Sequence, residues 1–190
     1  MEFVQPIRDT GKIELMKRIL LRGANGPRDY LMFVLGINSG LRISDLLELK
    51  MKDIADKKGA PVKRISLREQ KTGKAKDFPL GKSSVKAIAV YIKSVGAYEP
   101  CDYVFFSKKG GRITRQHAWK ILNAAARAAG IKDNIGTHTL RKTFGYHAYN
   151  QGVDIALLME TLNHSAQSIT LRYIGITQDQ KDRVYRGLNL

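Results

Sequence analysis

The residues of this chain that could do chemistry are basic side chains and one tyrosine, spread along most of its length. In chain order they are Arg42, Lys71, His138, Arg141, His164 and Tyr173. Guanidinium and imidazole groups bind anions, an ammonium can donate a proton, and a phenol can act as a nucleophile. His138 and Arg141 are three residues apart in a predicted helix, so both side chains can converge on one anion.

The net charge of the chain indicates an anionic partner. Its 190 residues include 33 Lys and Arg against 17 Asp and Glu, which gives a formal net charge of +16. Such a surplus suits a nucleic acid, an anionic membrane surface, or only a solubilising surface coat. We favour nucleic acid, although charge alone does not distinguish DNA from RNA.

Composition also limits the architecture and the compartment. With 43% hydrophobic residues, a chain of this length can bury one globular core. The single cysteine, Cys101, excludes a disulfide framework and a zinc site made of cysteines. The N-terminus lacks a secretory signal, and the longest apolar stretch, residues 30–37, is far shorter than the roughly 20 residues of a membrane helix. We therefore expect a cytoplasmic protein.

Two predicted helices position Arg42. Pro27 precedes an apolar run and Gly40 follows it, which predicts a buried helix that ends at Gly40. Ser44 is a candidate cap for a short helix that continues to residue 49. Arg42 should therefore lie in the turn between the two helices.

The remaining elements complete a mainly helical α+β domain. Alternating residues on both sides of a Thr-Gly-Lys turn predict a β-hairpin over 63–80, with Lys71 at its tip. Residues 103–106 are compatible with a short strand. Helical spacing and caps predict further helices over 84–95, from Thr114 to about Gly130, over 138–150 and 154–162, from 169 to Tyr173, and over a tail of about 177–190.

The order of these motifs resembles that of the tyrosine recombinases, the phage integrase family, over residues 5–185. The motifs are Gly40-Leu41-Arg42, Lys71-Thr72-Gly73, His138-x-x-Arg141, Leu162-Asn163-His164-Ser165 and Tyr173. Each motif alone is weak, but the ordered set is specific. The resemblance implies the recombinase catalytic-domain fold, a helical bundle with a small antiparallel sheet on one edge.

The resemblance also implies a role for each residue. Tyr173 would attack a DNA phosphorus to form a 3′-phosphotyrosyl intermediate, with His138 as a nearby proton acceptor. Arg42 and Arg141 would clamp the phosphate, and His164 would donate a further hydrogen bond. Lys71 would protonate the leaving 5′-oxygen.

Several assignments remain open beside these roles. Lys74 or Lys76 could replace Lys71 as the acid, and otherwise both would bind DNA, as would Arg115. Asp45, three residues after Arg42, could orient the arginines or serve only as a helix-start acid. We expect neither metal nor other cofactor, because cationic side chains stabilise the phosphate and rejoining simply reverses the cleavage.

The implied partners are double-stranded DNA and further copies of the chain in a synaptic tetramer, with no membrane. We expect residues 1–190 to form a single catalytic domain without the family's N-terminal core-binding domain, so an accessory DNA-binding domain or protein could assist. The tail of about 177–190 would pack on a neighbouring protomer or on its own domain. Two alternatives are a DNA-relaxing enzyme like the type IB topoisomerases and a non-catalytic DNA-binding protein.

Overall fold

The computed structural model describes residues 4–176 and 184–188. The elements in chain order are α1 (Thr10–Leu21), α2 (Gly26–Ser39), α3 (Ile43–Leu47), α4 (Met51–Ile54), β1 (Arg64–Arg68), β2 (Ala75–Pro79), α5 (Lys82–Val95), α6 (Arg115–Ala128), α7 (Thr139–Asn150), α8 (Ile155–Thr161) and α9 (Gln167–Tyr173). Residues 184–187 are also helical. The rest of the predicted tail helix lies outside the described residues. Within the described part, no helix is long and apolar enough to cross a membrane.

Helix α2 forms the centre of the domain. Its residues 31–35 are all buried, and the helix packs against α1, α5 and α7. Pro27 lies in its first turn, and Gly40 ends it in a left-handed conformation with φ of 60°. A Cβ at Gly40 would lie 2.7 Å from the ring of Phe144 on α7. Gly40 therefore allows both the turn that leads to Arg42 and the close approach of α7.

The predicted β-hairpin is present and attaches to the core by one face. Strands β1 and β2 pair antiparallel, with Ile65 opposite Phe78. Ile65 is 1% exposed, and Phe78 packs against the core at its edge. The intervening residues 69–74, which we call the hairpin tip, are exposed except for Glu69 and include Lys71.

The α7–α9 end has its own small hydrophobic cluster. Leu158, Leu162 and Ile174 form its buried centre, and Tyr173 packs against it. Gly145 of α7 makes this packing possible, since a Cβ there would lie 2.6 Å from the Ile174 side chain. The cluster fixes the end of α9, and thereby the backbone of Tyr173.

Two local predictions were wrong. Ser44 does not cap α3, because the Arg42 carbonyl already accepts the Leu46 amide at 2.9 Å and the helix begins at Ile43. Residues 103–106 form isolated bridges to Lys50 and Arg112 instead of a strand. Each end of this segment pairs with a different partner, so no continuous ladder can develop.

Candidate active site

Tyr173 lies at the end of α9 and is surrounded by basic side chains. Its hydroxyl is 3.3 Å from Nδ1 of His138, the cap residue just before α7. The His164 ring meets the tyrosine ring edge-on at a centroid distance of 4.8 Å. The Lys142 ammonium lies 5.1 Å from the centre of the Tyr173 ring. The fold thus brings three predicted residues, His138, His164 and Tyr173, into one cluster.

The charges around this cluster shift its pKa values. Burial raises the pKa of Tyr173, while the charges of Arg141 and Arg42 oppose that rise. Partial desolvation lowers the pKa of His138, and the charges of Arg115 and Arg141 lower it further. His138 is therefore neutral at pH 7, and in the tautomer with its proton on Nε2, Nδ1 can accept the tyrosine proton.

Arg141 is fixed by backbone carbonyls. It is only 2% exposed. Its Nη1 donates to the Gly40 carbonyl at 2.6 Å, and its Nη2 donates to the Leu162 carbonyl. A single guanidinium thus joins the end of α2 to the loop before His164. These contacts leave other N–H groups of the five on the guanidinium for an anion.

Arg42 contacts two acidic side chains. Its Nη1 lies 2.8 Å from Glu69 Oε1 and 4.0 Å from Asp45 Oδ2. The 2.8 Å contact is an ion pair outside hydrogen-bond angles, and Nη1 has no aligned acceptor among the described residues. Asp45 also accepts the Gln70 amide at 3.0 Å, so it connects α3 to the hairpin tip. Asp45 therefore contacts both Arg42 and the hairpin tip, in addition to its place in the first turn of α3.

Glu69 lies within the candidate site, and the sequence did not reveal it. It is 3% exposed, and Oε2 accepts Thr72 Oγ1 at 2.7 Å and Asn163 Nδ2 at 3.1 Å. Burial alone would raise its pKa, but hydrogen bonds from Thr72 and Asn163 and the ion pair with Arg42 lower the pKa to about 2. Glu69 is thus ionised at neutral pH, and its carboxylate pairs with Arg42 beside the hairpin tip.

The three candidate lysines of the hairpin differ in environment. The Lys71 side chain is exposed and makes no hydrogen bond or ion pair with any residue in the described ranges. Lys74 donates to Asn163 Oδ1 at 2.9 Å. Lys76 is half-buried, and burial followed by the charges of Arg141 and Arg42 lowers its pKa to about 8. The charges of Arg141 and Arg42 therefore act on Lys76, whereas the exposed Lys71 side chain has no polar partner among the described residues.

Arg115 is the remaining predicted DNA-binding residue. Arg115 is exposed in the first turn of α6, after the cap residue Thr114, and its charge acts on His138. Within residues 4–176 and 184–188, no three or more His, Cys, Asp or Glu side chains are grouped to hold a metal ion.

Sequence reasoning missed Lys142 and Asn163 as well as Glu69. Lys142 directly follows Arg141 and is 8% exposed, but a lysine in a helix usually faces solvent. Asn163 has a left-handed backbone, with φ of 53°. Asparagine after an apolar helix end was the one available signal for that conformation.

Known proteins resemble this chain over most of its length. The model of the phage integrase family matches residues 12–180. "Probable integrase/recombinase YoeC" of Bacillus subtilis (strain 168) is 44% identical over 187 residues, which cover 98% of this chain and 97% of that protein. "Type 1 fimbriae regulatory protein FimE" of Escherichia coli (strain K12) is 32% identical over 168 residues, covering 86% of this chain and 83% of the relative.

Comparison with a solved structure shows the fold. The crystal structure of XerA recombinase superposes with a TM-score of 0.75 at 20% identity. It covers 98% of this chain, which spans 64% of the XerA chain. The likeness shows that the described residues adopt the recombinase catalytic-domain fold, mainly helical with a small antiparallel hairpin. With a family match over most of its length and a relative at 44% identity, the chain belongs to the phage integrase family of tyrosine recombinases.

Proposed function

We propose that this protein is a site-specific DNA recombinase that cleaves and rejoins duplex DNA through a phosphotyrosyl intermediate on Tyr173. One observation carries the proposal: the Tyr173 hydroxyl lies 3.3 Å from the imidazole of His138, in a cluster that includes the buried guanidinium of Arg141. A nucleophile, a proton acceptor and a fixed cation are the parts that attack on a phosphodiester requires.

The scissile phosphate would bind between the two arginines. Charge develops on the non-bridging oxygens during attack, and guanidinium N–H groups fork onto such oxygens while remaining protonated. Arg141 is held by two carbonyls, and Arg42 by Glu69, so both are preorganised before DNA arrives. His164 would donate the third contact, with Nδ1 oriented by Thr170 Oγ1 at 3.0 Å.

Groups of the protein and the DNA account for every bond and proton that changes in the cleavage step, so no cofactor is needed. The Tyr173 oxygen bonds to phosphorus as its proton moves to Nδ1 of His138, and the bond from phosphorus to the 5′-oxygen breaks. Lys71 donates a proton to that oxygen, which leaves as a 5′-hydroxyl. Its exposed, uncontacted ammonium can reach a departing group that a buried lysine could not follow. Rejoining by a 5′-hydroxyl of another strand reverses each transfer.

The proposed partners follow from charge and from the relatives. The formal net charge of +16 supports contact with the DNA backbone, and Lys74, Lys76 and Arg115 would contact phosphates beside the scissile one. The names of YoeC and XerA describe an integrase/recombinase and a recombinase. The proposal includes action in the cytoplasm, a single catalytic domain, and assembly of protomers into a synaptic tetramer on DNA. An accessory DNA-binding domain or protein would add site selection.

A nicked suicide duplex tests the nucleophile. After cleavage the short 5′-hydroxyl strand diffuses away, so the covalent protein–DNA complex accumulates and appears as a shifted band. We expect this band from the wild-type protein and none from Tyr173→Phe. Tyr149→Phe, in the same hydrophobic cluster, is the matched control and should form the band normally. A band of equal strength from Tyr173→Phe would exclude Tyr173 as the nucleophile.

A further inference from the structure

Asn163 combines a strained backbone with a well-bonded side chain. Its φ of 53° is the only left-handed non-glycine conformation among residues 4–176 and 184–188. Glycine adopts this conformation freely, whereas asparagine adopts it at some cost. A strained residue is retained where the surrounding structure holds it, and such residues concentrate at functional sites. This raises the question of what the Asn163 side chain contributes.

Both polar atoms of that side chain reach the hairpin tip. Oδ1 accepts Lys74 Nζ at 2.9 Å, and Nδ2 donates to Glu69 Oε2 at 3.1 Å. A lysine can only donate and a carboxylate can only accept, so the amide fits this site in one orientation. Asn163 therefore bridges the loop before His164 to a segment 89 and 94 residues earlier in the chain.

The two hairpin residues held by Asn163 flank Lys71. Glu69 and Lys74 close the tip, since the Glu69 amide donates to the Lys74 carbonyl at 2.9 Å. Within the tip, Thr72 Oγ1 also donates to Glu69 Oε2 at 2.7 Å. The backbone around Lys71 is thus anchored on both sides, while its own side chain is unrestrained by described residues.

From these contacts we propose that Asn163 is a positioning residue, a latch that ties the hairpin tip to the His164 loop and so sets the reach of Lys71 toward the scissile phosphate. The inference rests on the proposed function, because it takes Lys71 as the acid. Other contacts keep the hairpin in place without the latch: Glu69 with Arg42 at 2.8 Å, Asp45 with the Gln70 amide at 3.0 Å, and Lys76 with the Thr161 carbonyl at 3.4 Å. Loss of Asn163 should therefore loosen the tip without unfolding it.

Asn163→Gly isolates the latch, because glycine keeps the left-handed backbone and removes only the side chain. We expect hydrogen exchange at the amides of residues 70–74 to become about tenfold faster, the effect of losing about one stabilising hydrogen bond. The amides of residues 31–35, in the buried middle of α2, serve as the internal reference and should be unchanged. Asn25→Gly is the matched control, since Asn25 makes no side-chain cap hydrogen bond. Unchanged exchange at the tip would overturn the latch, whether or not the protein cleaves DNA.

Two suicide duplexes test the positioning of the acid. One has an ordinary 5′-oxygen at the scissile bond, and the other a 5′-bridging sulfur, which leaves without protonation. We expect Asn163→Gly to form covalent complex about tenfold more slowly on the ordinary duplex and at nearly the wild-type rate on the sulfur duplex. A defect equal on both duplexes would overturn the positioning role.

The variants Lys71→Ala and Tyr173→Phe distinguish a failure of this inference from a failure of the proposed function. If the sulfur duplex does not rescue Lys71→Ala, Lys71 is not the acid, and Asn163 cannot act by positioning it. The hydrogen-exchange result still tests whether Asn163 holds the hairpin tip. If Tyr173→Phe forms the complex, the proposed nucleophile is wrong, and the ratio of rates on the two duplexes still reports whether Asn163 acts on leaving-group protonation.

Discussion

The nucleophile region, residues 138–173, and the hairpin tip, residues 69–74, hold their functional cations in opposite ways. Arg141 is 2% exposed and donates to two backbone carbonyls. Lys71 is exposed and makes no hydrogen bond or ion pair with any described residue, although the backbone on both sides of it is hydrogen-bonded. One cation is immobilised, and the other is a free side chain on an anchored loop.

The contrast follows from what each group must do. A cation that stabilises developing charge gains most when it is fixed in advance in a dry site, since no reorganisation accompanies the reaction. A proton donor must follow a leaving oxygen as it departs, so a flexible side chain is an advantage provided that its base does not move. The contrast predicts that substitutions in the two regions separate stability from catalysis.

The largest effect should come from the immobilised cation. Arg141→Gln removes the charge and leaves the Gly40 and Leu162 carbonyls short of donors. We expect the rate of covalent-complex formation to fall about 10³-fold, and the free energy of unfolding to fall by about 2–4 kcal/mol. Suicide-duplex kinetics and urea denaturation measure the two quantities.

Arg172→Gln is the control for that loss. Arg172 precedes the nucleophile on α9 but is exposed. Its substitution should leave both the cleavage rate and the urea midpoint close to wild type. Full stability in Arg141→Gln would contradict the view that the carbonyl contacts, and not packing alone, hold the nucleophile region together.

The free cation should show the reverse pattern. Lys71→Ala should slow cleavage of ordinary DNA about 10²-fold or more, because the leaving oxygen departs unprotonated. The urea midpoint should not change, since the side chain is exposed and makes no hydrogen bond or ion pair within the described part of the chain. A sulfur leaving group should restore the rate.

Lys76→Met tests the competing acid with the same two duplexes. A pKa of about 8 makes Lys76 a better proton donor than an ordinary lysine, but its half-buried position on β2 restricts its reach. We expect its cleavage defect to be the same on both duplexes. If the sulfur duplex restored the rate of Lys76→Met, the acid would be Lys76 on β2 and not Lys71 at the tip. The contrast between the two regions would then not hold.

The same two regions explain what the sequence could predict. Helix α2, the hairpin and the caps at Thr114 and Asp154 follow from local patterns, and the structure has them at those positions. The meeting of His138, His164 and Tyr173 came from the family order of motifs, because residues 35 apart in sequence reveal no contact by spacing alone.

What the sequence missed depends on long-range pairing. Glu69 looks like a surface glutamate at a strand end until Arg42, Thr72 and Asn163 surround it. Lys142 looks like an exposed helical lysine until α9 covers it. Both are buried charged residues, and their role is defined by partners that only the folded chain brings close. The hydrophobic periodicity of a local segment does not indicate which distant residues will become such partners.

The smallest effect should come from Arg115, which belongs to neither region. Arg115→Gln removes one exposed cation near DNA, so the slope of log affinity against log salt should become shallower by about one. The cleavage rate at saturating DNA and neutral pH should change little. Fluorescence titrations with labelled duplex at several salt concentrations measure the slope. An unchanged slope would exclude Arg115 from phosphate contact.

Arg115→Gln should also change the pH dependence of cleavage, because Arg115 acts on His138 through space. Its positive charge is one of the causes that lower the pKa of His138, so removing it raises that pKa. His138 must be neutral to accept the Tyr173 proton, and a raised pKa keeps it protonated to higher pH. The acidic limb of the pH–rate profile should therefore move to higher pH in Arg115→Gln, while Lys71→Ala leaves that limb in place. A shift in the opposite direction would mean that a group other than neutral His138 accepts the proton.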